Sequence, residues 1–297
     1  MRRLFYTAQE QDEGRAIRSL VPSRFHLGAH AFRRLKVLGG ILIAGHPVRA
    51  DYRVKAGDVI EIRLPDDETG EIHTGDAVFD GPPSYIRYQD EDLLIIAKGA
   101  PLATLPGAHI KTGTLREQLI AMLGADARTF VYHPVNRLDK GTSGLLVIAR
   151  HAHSQRLLSS QLHTGGFVRE YLAVTEGIPD ALEGTIDAPI AKCGEGAKRC
   201  VRADGKPAVT HYRVEKAAGS RALIRLRLET GRTHQIRVHL SSIGCPIAGD
   251  YLYGSELPAL AGRFALHSAS LSLTQPITGE TIVLSEPLPP ELSALLE

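Results

Sequence analysis

Three observations predict an α+β protein whose main sheet is mixed but mostly antiparallel, flanked by a few helices. Strand-like segments are many and helix-like segments few. The two kinds do not alternate as βαβ units would require. Residues 209–214 and 222–228 alternate apolar and polar side chains, the pattern of antiparallel strands with one wet face. A chain of 297 residues suits two domains at roughly 100–200 residues each. A small α/β module is expected over residues 1–64, an acidic linker over 65–83 and a larger domain over 84–297.

In the first module, residues 14–20 predict the start of a helix with Ile17 and Leu20 inward. Residues 29–38 place Ala31, Leu35 and Leu38 at helical spacing, with Arg33, Arg34 and Lys36 on other faces. Those three cations suit either a solvated helix face or phosphate contacts. Residues 40–48 read as a short strand closed by a turn at Gly45. Residues 54–62 repeat the plan: a turn at Ala56-Gly57-Asp58, then Val59 opposite Ile60 and Ile62. Residues 65–83 are rich in Asp, Gly and Pro without periodicity, as a linker is.

The net charge of +2 is unevenly spread. Residues 65–92 hold nine acids and one base, which leaves the remainder at +10. Residues 1–64 hold twelve Arg and Lys against six Asp and Glu. A basic module before an acidic connector is compatible with a polyanionic partner.

The larger domain opens with strands at 85–88 and 93–97 around the turn Asp90-Glu91-Asp92. Thr114 heads a helix with Leu115, Leu119 and Met122 apolar, and Glu117 completes a capping box. The stretch 134–150 is the most informative. Leu145-Leu146-Val147-Ile148-Ala149 is a continuous apolar run, the signature of a buried strand. A polar loop, 136–143, feeds directly into it. Such a loop on a rigid strand suits a reactive carboxylate, here Asp139; a turn aspartate bonded to nearby backbone is the blander alternative. Residues 151–163 predict a helix with Leu157, Leu158 and Leu162 inward, 167–177 a strand, and 282–284 a late strand.

A second unusual stretch, 228–240, leaves a strand at Glu229, turns at Gly231 and then carries Arg232, His234, Arg237 and His239. Its apolar positions Ile236, Val238 and Leu240 suit either a helix or a strand. The cations read either as a solvated basic segment or as a set aimed at a cleft, where an arginine keeps a carboxylate ionised.

Several classes of function are disfavoured. No run of about 18 apolar residues is present, so no membrane span is expected. Cys193, Cys200 and Cys245 are read as ordinary thiols of a reducing compartment, which points to the cytoplasm. His151 and His153 face different sides of a helix, with His163 further along, so no metal is expected. No phosphate-cradling loop or Gly-x-Ser-x-Gly elbow occurs, and no cofactor is expected. Without heptads, a monomer is expected.

The segment Asn136-Arg137-Leu138-Asp139-Lys140-Gly141-Thr142-Ser143-Gly144-Leu145 resembles the catalytic motif of the RluA-type pseudouridine synthases. Other segments agree in order: Lys98-Gly99-Ala100-Pro101-Leu102, Val168-Arg169-Glu170-Tyr171-Leu172-Ala173-Val174, Thr230 onward to His239, and Ala265-Leu266-His267-Ser268. The likeness spans roughly 84–290, and departs at Asn136 (for His), Gly99 (for Pro) and Ser268 (for Ala). Over about 13–64 the chain resembles the small RNA-binding domain of ribosomal protein S-four, although Gly28-Ala29-His30-Ala31 replaces its usual Ser-Arg pair.

The resemblance implies the pseudouridine synthase fold and isomerisation of uridine to pseudouridine in structured RNA, without a cofactor. It implies Asp139 as nucleophile, Arg232 as its counter-ion and Tyr171 stacked on the base. Ile236 and Leu266 form apolar walls, and Arg137 fills the space left by the extruded base. Asn136, Leu138, Thr142, Ser143, Gly144, His234, Gln235, Arg237 and His267 complete the implied substrate site, with Arg33, Arg34 and Lys36 on the first module. Large-subunit ribosomal RNA is the favoured substrate and transfer RNA the alternative. A non-catalytic RNA-binding or ribosome-assembly protein is the competing reading, against which Asp139, Tyr171 and Arg232 argue. A metal-dependent hydrolase built on the histidines is the third.

Overall fold

A computed structural model describes residues 2–65, 81–107, 110–124, 130–260 and 262–297. Most of the expected linker therefore lies outside the described residues.

The first module contains β1 (Arg3–Thr7), α1 (Ile17–Arg24), α2 (Ala29–Val37), β2 (Ile41–Ile43), β3 (His46–Pro47) and β4 (Val59–Arg63). Its sheet runs β1-β4-β2-β3, all antiparallel. Ile60 and Ile62 point inward to Ile17, Leu20 and Leu35, while Val59, on the other face of β4, stays exposed. Strand β1 has no counterpart in the sequence reading, because it is an edge strand with Phe5 on its wet side. It is held by pairing to β4, Leu4 opposite Ile62. Helix α1 begins at Ile17, since Gly14 takes a left-handed φ of 73°. Leu38 is exposed rather than inward, because α2 ends at Val37 and Leu38 caps it.

The second domain is the predicted α+β architecture. Its elements are β5 (Tyr85–Gln89), β6 (Leu93–Lys98), α3 (Leu115–Leu123), β7 (His133–Pro134), β8 (Ser143–Ala149), α4 (Ala152–Thr164), β9 (Val168–Glu176), β10 (Glu183–Asp187), β11 (Ile190–Lys192), β12 (Arg199–Val201), β13 (Val209–Ala218), β14 (Arg221–Leu228), α5 (Gln235–Ser242), β15 (Leu266–Thr274), β16 (Thr281–Ser285) and the short α6 (Pro290–Ser293). A ten-stranded sheet runs β10-β13-β14-β9-β15-β8-β6-β5, with β16 added to β15 and β7 to β8. Among the described residues its one parallel pairing is β15 with β8.

Strands β6 and β8 are buried on both faces, which is why they read as unbroken apolar runs. Leu94, Ile96, Leu146 and Ile148 pack on one side with Leu115 and Leu119 of α3 and Ile236 and Leu240 of α5. Leu93, Ile95, Leu145 and Val147 pack on the other with Leu158 of α4. Each such side chain contributes about 1.5–3 kcal/mol of burial. Thr114 and Glu117 form the expected capping box, but Met122 lies on the wet face of α3.

The two units meet at Asp92. Arg2 Nε donates to Asp92 Oδ1 at 2.8 Å, and the same carboxylate accepts from His151 at 2.9 Å and Gln275 at 2.9 Å. Ile277 packs against the core of the first module.

Candidate active site

The loop before β8 is fastened from several directions. Asn136 Oδ1 accepts the Val147 N–H at 2.9 Å. Thr104 Oγ1 donates to the Leu138 carbonyl at 2.8 Å. The ammonium of buried Lys98 donates to the carbonyls of Gly99 and Leu102, each at 2.8 Å, and Leu102 N–H holds the Lys140 carbonyl. Burial and the charge of Arg263 pull that ammonium down to about 7, while Asp139 opposes them. Two glycines are obligatory here. A Cβ on Gly141 would meet the Phe264 ring at 2.6 Å, and one on Gly144 (φ 101°) would meet the Ser268 carbonyl at 2.2 Å.

Asp139 emerges from this frame part-exposed at the floor of a pocket of about 600 Å³, a size ordinary for small-molecule sites. Its Oδ2 lies 3.0 Å from Arg237 Nη1. Arg237 also donates Nε to Asp250 Oδ2 at 2.6 Å and Nη2 to Asp250 Oδ1 at 2.8 Å. The guanidinium rests 4.2 Å from the Phe264 ring centre and 5.0 Å from that of Tyr253. Burial works against its charge, but Asp250 and Asp139 outweigh it and raise its pKa. The cation therefore persists while almost wholly enclosed.

The expectation that Arg232 is the counter-ion is corrected. Its side chain is exposed and its Nε donates to the Pro207 carbonyl at 2.9 Å. The reason is the local fold. Residues 235–242 form a helix, which settles the helix-or-strand question, and Arg232 falls in the turn before it. Its own N–H donates to Gln235 Oε1, and the turn sends the side chain to the pocket rim. Arg237, on the first turns of α5, faces the floor instead.

The other expected site residues divide. Arg137, Leu138, Thr142, Tyr171, His234, Ile236 and Leu266 line the pocket with Asp139 and Arg237. Asn136 lines it too, yet its carbonyl oxygen is spent on β8. Gln235 lines it as well, with its amide spent on the scaffold: it accepts from Thr230 and Arg232 and donates to Val209 and Thr210. His267, Ser143 and Gly144 are corrected to structural roles, because they sit behind the pocket where β15 meets β8. Arg263 donates to Ser143 Oγ, Ser143 to His267 Nδ1, and His267 Nε2 to the Glu286 carbonyl. Burial pulls His267 down to about 4, so it is neutral. Arg33, Arg34 and Lys36 lie on α2 and line no part of the pocket. Among the described residues no His, Cys, Asp and Glu cluster could hold a metal.

Several residues of the site escaped the sequence reading. Asp250 is fully buried, and its only signal was a lone acid after Ile247-Ala248-Gly249. Arg169 shares the face of β9 with Tyr171, lines the pocket and is buried, and its Nε has no hydrogen-bond partner among the described residues. Burial pushes the Tyr171 phenol up; the Arg169 charge opposes that and the Asp139 charge adds to it, so the phenol stays protonated. His234 takes a left-handed φ of 58° at the start of α5, a strained choice for a non-glycine residue of the kind that collects at functional sites. Its imidazole pKa is lowered chiefly by burial, against the Asp139 charge.

The pocket thus offers one carboxylate with a buried cation partner, a protonated phenol, apolar walls, the buried Arg169 and an exposed rim of Arg137, Lys140 and Arg232. Its cations and apolar walls suit an anionic ligand that carries a flat ring.

A family model described as RNA pseudouridylate synthase matches residues 92–242. The Bacillus subtilis protein named uncharacterized RNA pseudouridine synthase YjbO is 36% identical over 260 residues, 87% of this chain and 90% of that one. Ribosomal large subunit pseudouridine synthase D of Xanthomonas campestris is 37% identical over 275 residues, covering 87% and 80%. Among solved structures, human RNA pseudouridylate synthase domain containing 1 superposes with a TM-score of 0.58 at 25% identity, covering 72% of this chain and 87% of that one.

Proposed function

Because the chain belongs to the RNA pseudouridylate synthase family, as an RluA-type RNA pseudouridine synthase, we propose that it isomerises uridines in large-subunit ribosomal RNA, with Asp139 as nucleophile and the target base extruded. The bond from the ribose to ring nitrogen 1 breaks, the uracil turns, and a bond to ring carbon 5 forms. The proton of carbon 5 leaves and nitrogen 1 gains one, so no redox partner is consumed. The relatives named for the large ribosomal subunit support the choice of RNA.

The observation that carries this reading is the Asp139 carboxylate, bonded to Arg237 on the floor of a pocket with a cationic rim. A nucleophilic carboxylate must be aimed and held in a partly desolvated place, and the fixed guanidinium 3.0 Å away does that. Tyr171 supplies a face for the uracil, between Ile236 and Leu266. Extruding a stacked base costs a few kcal/mol. Arg137, exposed at the mouth, offsets part of this by entering the vacated space. The rim cations and Arg33, Arg34 and Lys36 of the first module hold phosphates.

Asp139→Ala tests the assignment. Pseudouridine formation is lost while RNA affinity is largely kept; retained activity removes Asp139 from the nucleophile's role. Mapping pseudouridines in total RNA from cells lacking the protein identifies the substrate. Sites that vanish only from transfer RNA would overturn the ribosomal assignment.

A further inference from the structure

Two side-chain nitrogens face one carboxylate oxygen. Arg237 Nη1 is 3.0 Å from Asp139 Oδ2, and His234 Nε2 is 3.9 Å from it. What the imidazole offers there depends on which ring nitrogen carries the proton. The answer lies on the far side of the ring. Tyr253 Oη is 2.9 Å from His234 Nδ1 and 2.8 Å from the backbone nitrogen of Arg199. An amide N–H can only donate, so the phenol oxygen accepts from Arg199. Its own O–H then has one acceptor within reach among the described residues, His234 Nδ1. A neutral imidazole that accepts at Nδ1 carries its proton on Nε2, the atom turned toward Asp139.

We propose that Tyr253 is a positioning residue that locks His234 in the Nε2–H tautomer, so that a neutral donor faces Asp139 beside the bound uridine. The opposite tautomer would turn a lone pair on Nε2 toward the carboxylate, and two acceptors would confront each other. The proposal rests on the reading of this pocket as the active site. The chain's architecture supports it at a second point. Asp250 Oδ1, which holds Arg237, also accepts the N–H groups of Leu252 at 3.1 Å and Tyr253 at 3.3 Å. The turn that presents Tyr253 is therefore shaped by the carboxylate that orients Arg237. The Tyr253 ring meets His234 edge-on, with centroids 5.7 Å apart, which fixes the phenol opposite Nδ1. One short turn sets the direction of both donors.

The test is ring-nitrogen NMR on the full-length protein labelled with ¹⁵N-histidine, with Tyr253→Phe as the variant. Phenylalanine keeps the ring against Arg237 and His234 and removes only the hydroxyl. In the wild type, His234 Nε2 gives the protonated, pyrrole-type signal and Nδ1 the pyridine-type signal. In Tyr253→Phe the two forms mix, and kcat for pseudouridine formation falls about ten-fold with KM unchanged, less than the 10²–10⁴-fold a positioned proton donor itself contributes. His234→Gln places an amide N–H near the Nε2 position and retains part of the activity. In that background Tyr253→Phe has no further effect, because no tautomer remains to be chosen. A wild-type His234 protonated on Nδ1 overturns the proposal. So does a tautomer unchanged in Tyr253→Phe, or an equal loss of kcat in the His234→Gln background. Wild-type protein inactive on every cellular RNA would instead overturn the reading of the pocket, while the NMR result still decides the tautomer.

Discussion

Replacing Arg237 by lysine tests how Asp139 is held. Arg237 uses three N–H groups at once, two on Asp250 and one on Asp139. A lysine is a single point charge without the fork, so it serves one carboxylate well and the other poorly. Asp250 is fully buried and Asp139 is part-exposed, so the ammonium stays with Asp250, where desolvation makes an unpaired charge most unfavourable. Asp139 then loses a charge-assisted hydrogen bond worth about 1.5–3 kcal/mol. If that bond acts on the transition state, the loss is roughly ten- to a hundred-fold in rate. Arg232→Lys is the control. Its guanidinium is exposed and bonded to a backbone carbonyl, so the rate changes by less than about three-fold. Single-turnover pseudouridine formation at saturating RNA measures both, with urea midpoints to separate lost chemistry from lost fold. The reasoning is refuted if Arg232→Lys is as damaging as Arg237→Lys, or if Arg237→Lys stays within about three-fold of wild type.

Three other outcomes are expected. Burial holds the His153 imidazole at about 4, well below its ordinary 6.5. The unfolded chain therefore binds the extra proton first, and stability is fully present above pH 6.5 and falls as pH drops toward 4. His153→Phe makes this slope shallower by the share of one imidazole, His267 keeping its own, readable from urea midpoints at a series of pH values; neither ring nitrogen of His153 has a hydrogen-bond partner to lose. Arg169→Gln weakens RNA binding about ten-fold and reduces the salt dependence of binding by about one phosphate contact, while Asp139 chemistry at saturation is preserved. Gly144→Ala forces a Cβ into the Ser268 carbonyl at a left-handed φ, and costs about 3 kcal/mol or more of stability in denaturant titration.

Much of the site was legible because its parts are local. Asp139 sits in a polar loop feeding an apolar run, and both features occupy one stretch of sequence. The run is unbroken because β8 is covered on both faces, a fact of the fold that leaves a trace in composition. The choice between Arg232 and Arg237 was not legible. Both lie in one short basic segment, and which one reaches the floor depends on where α5 begins. That start is set by Gln235, whose side chain bonds to Thr230, Arg232, Val209 and Thr210. Two of those partners lie on a separate strand, β13. His267 was assigned to substrate for the same reason, since polar side chains close to Asp139 look alike until their partners are known. Asp250 and Tyr253 were hidden because each acts through another residue. Strand β1 was hidden because its pairing partner lies at the far end of the module.

Phe264 has a consequence for how this sequence can vary. Its ring is both the platform under Arg237 and the wall that leaves Gly141 no room for a side chain. A methyl group at 141 must either displace the ring, and with it the guanidinium, or wait for a smaller residue at 264. The two positions are therefore joined in drift: a change at one is tolerated only after a particular change at the other. The intermediate with one change alone is either crowded or hollow beneath Arg237. An engineer wishing to alter the loop that carries Asp139 would find position 264, not its neighbours in sequence, to be the one that grants or withholds permission.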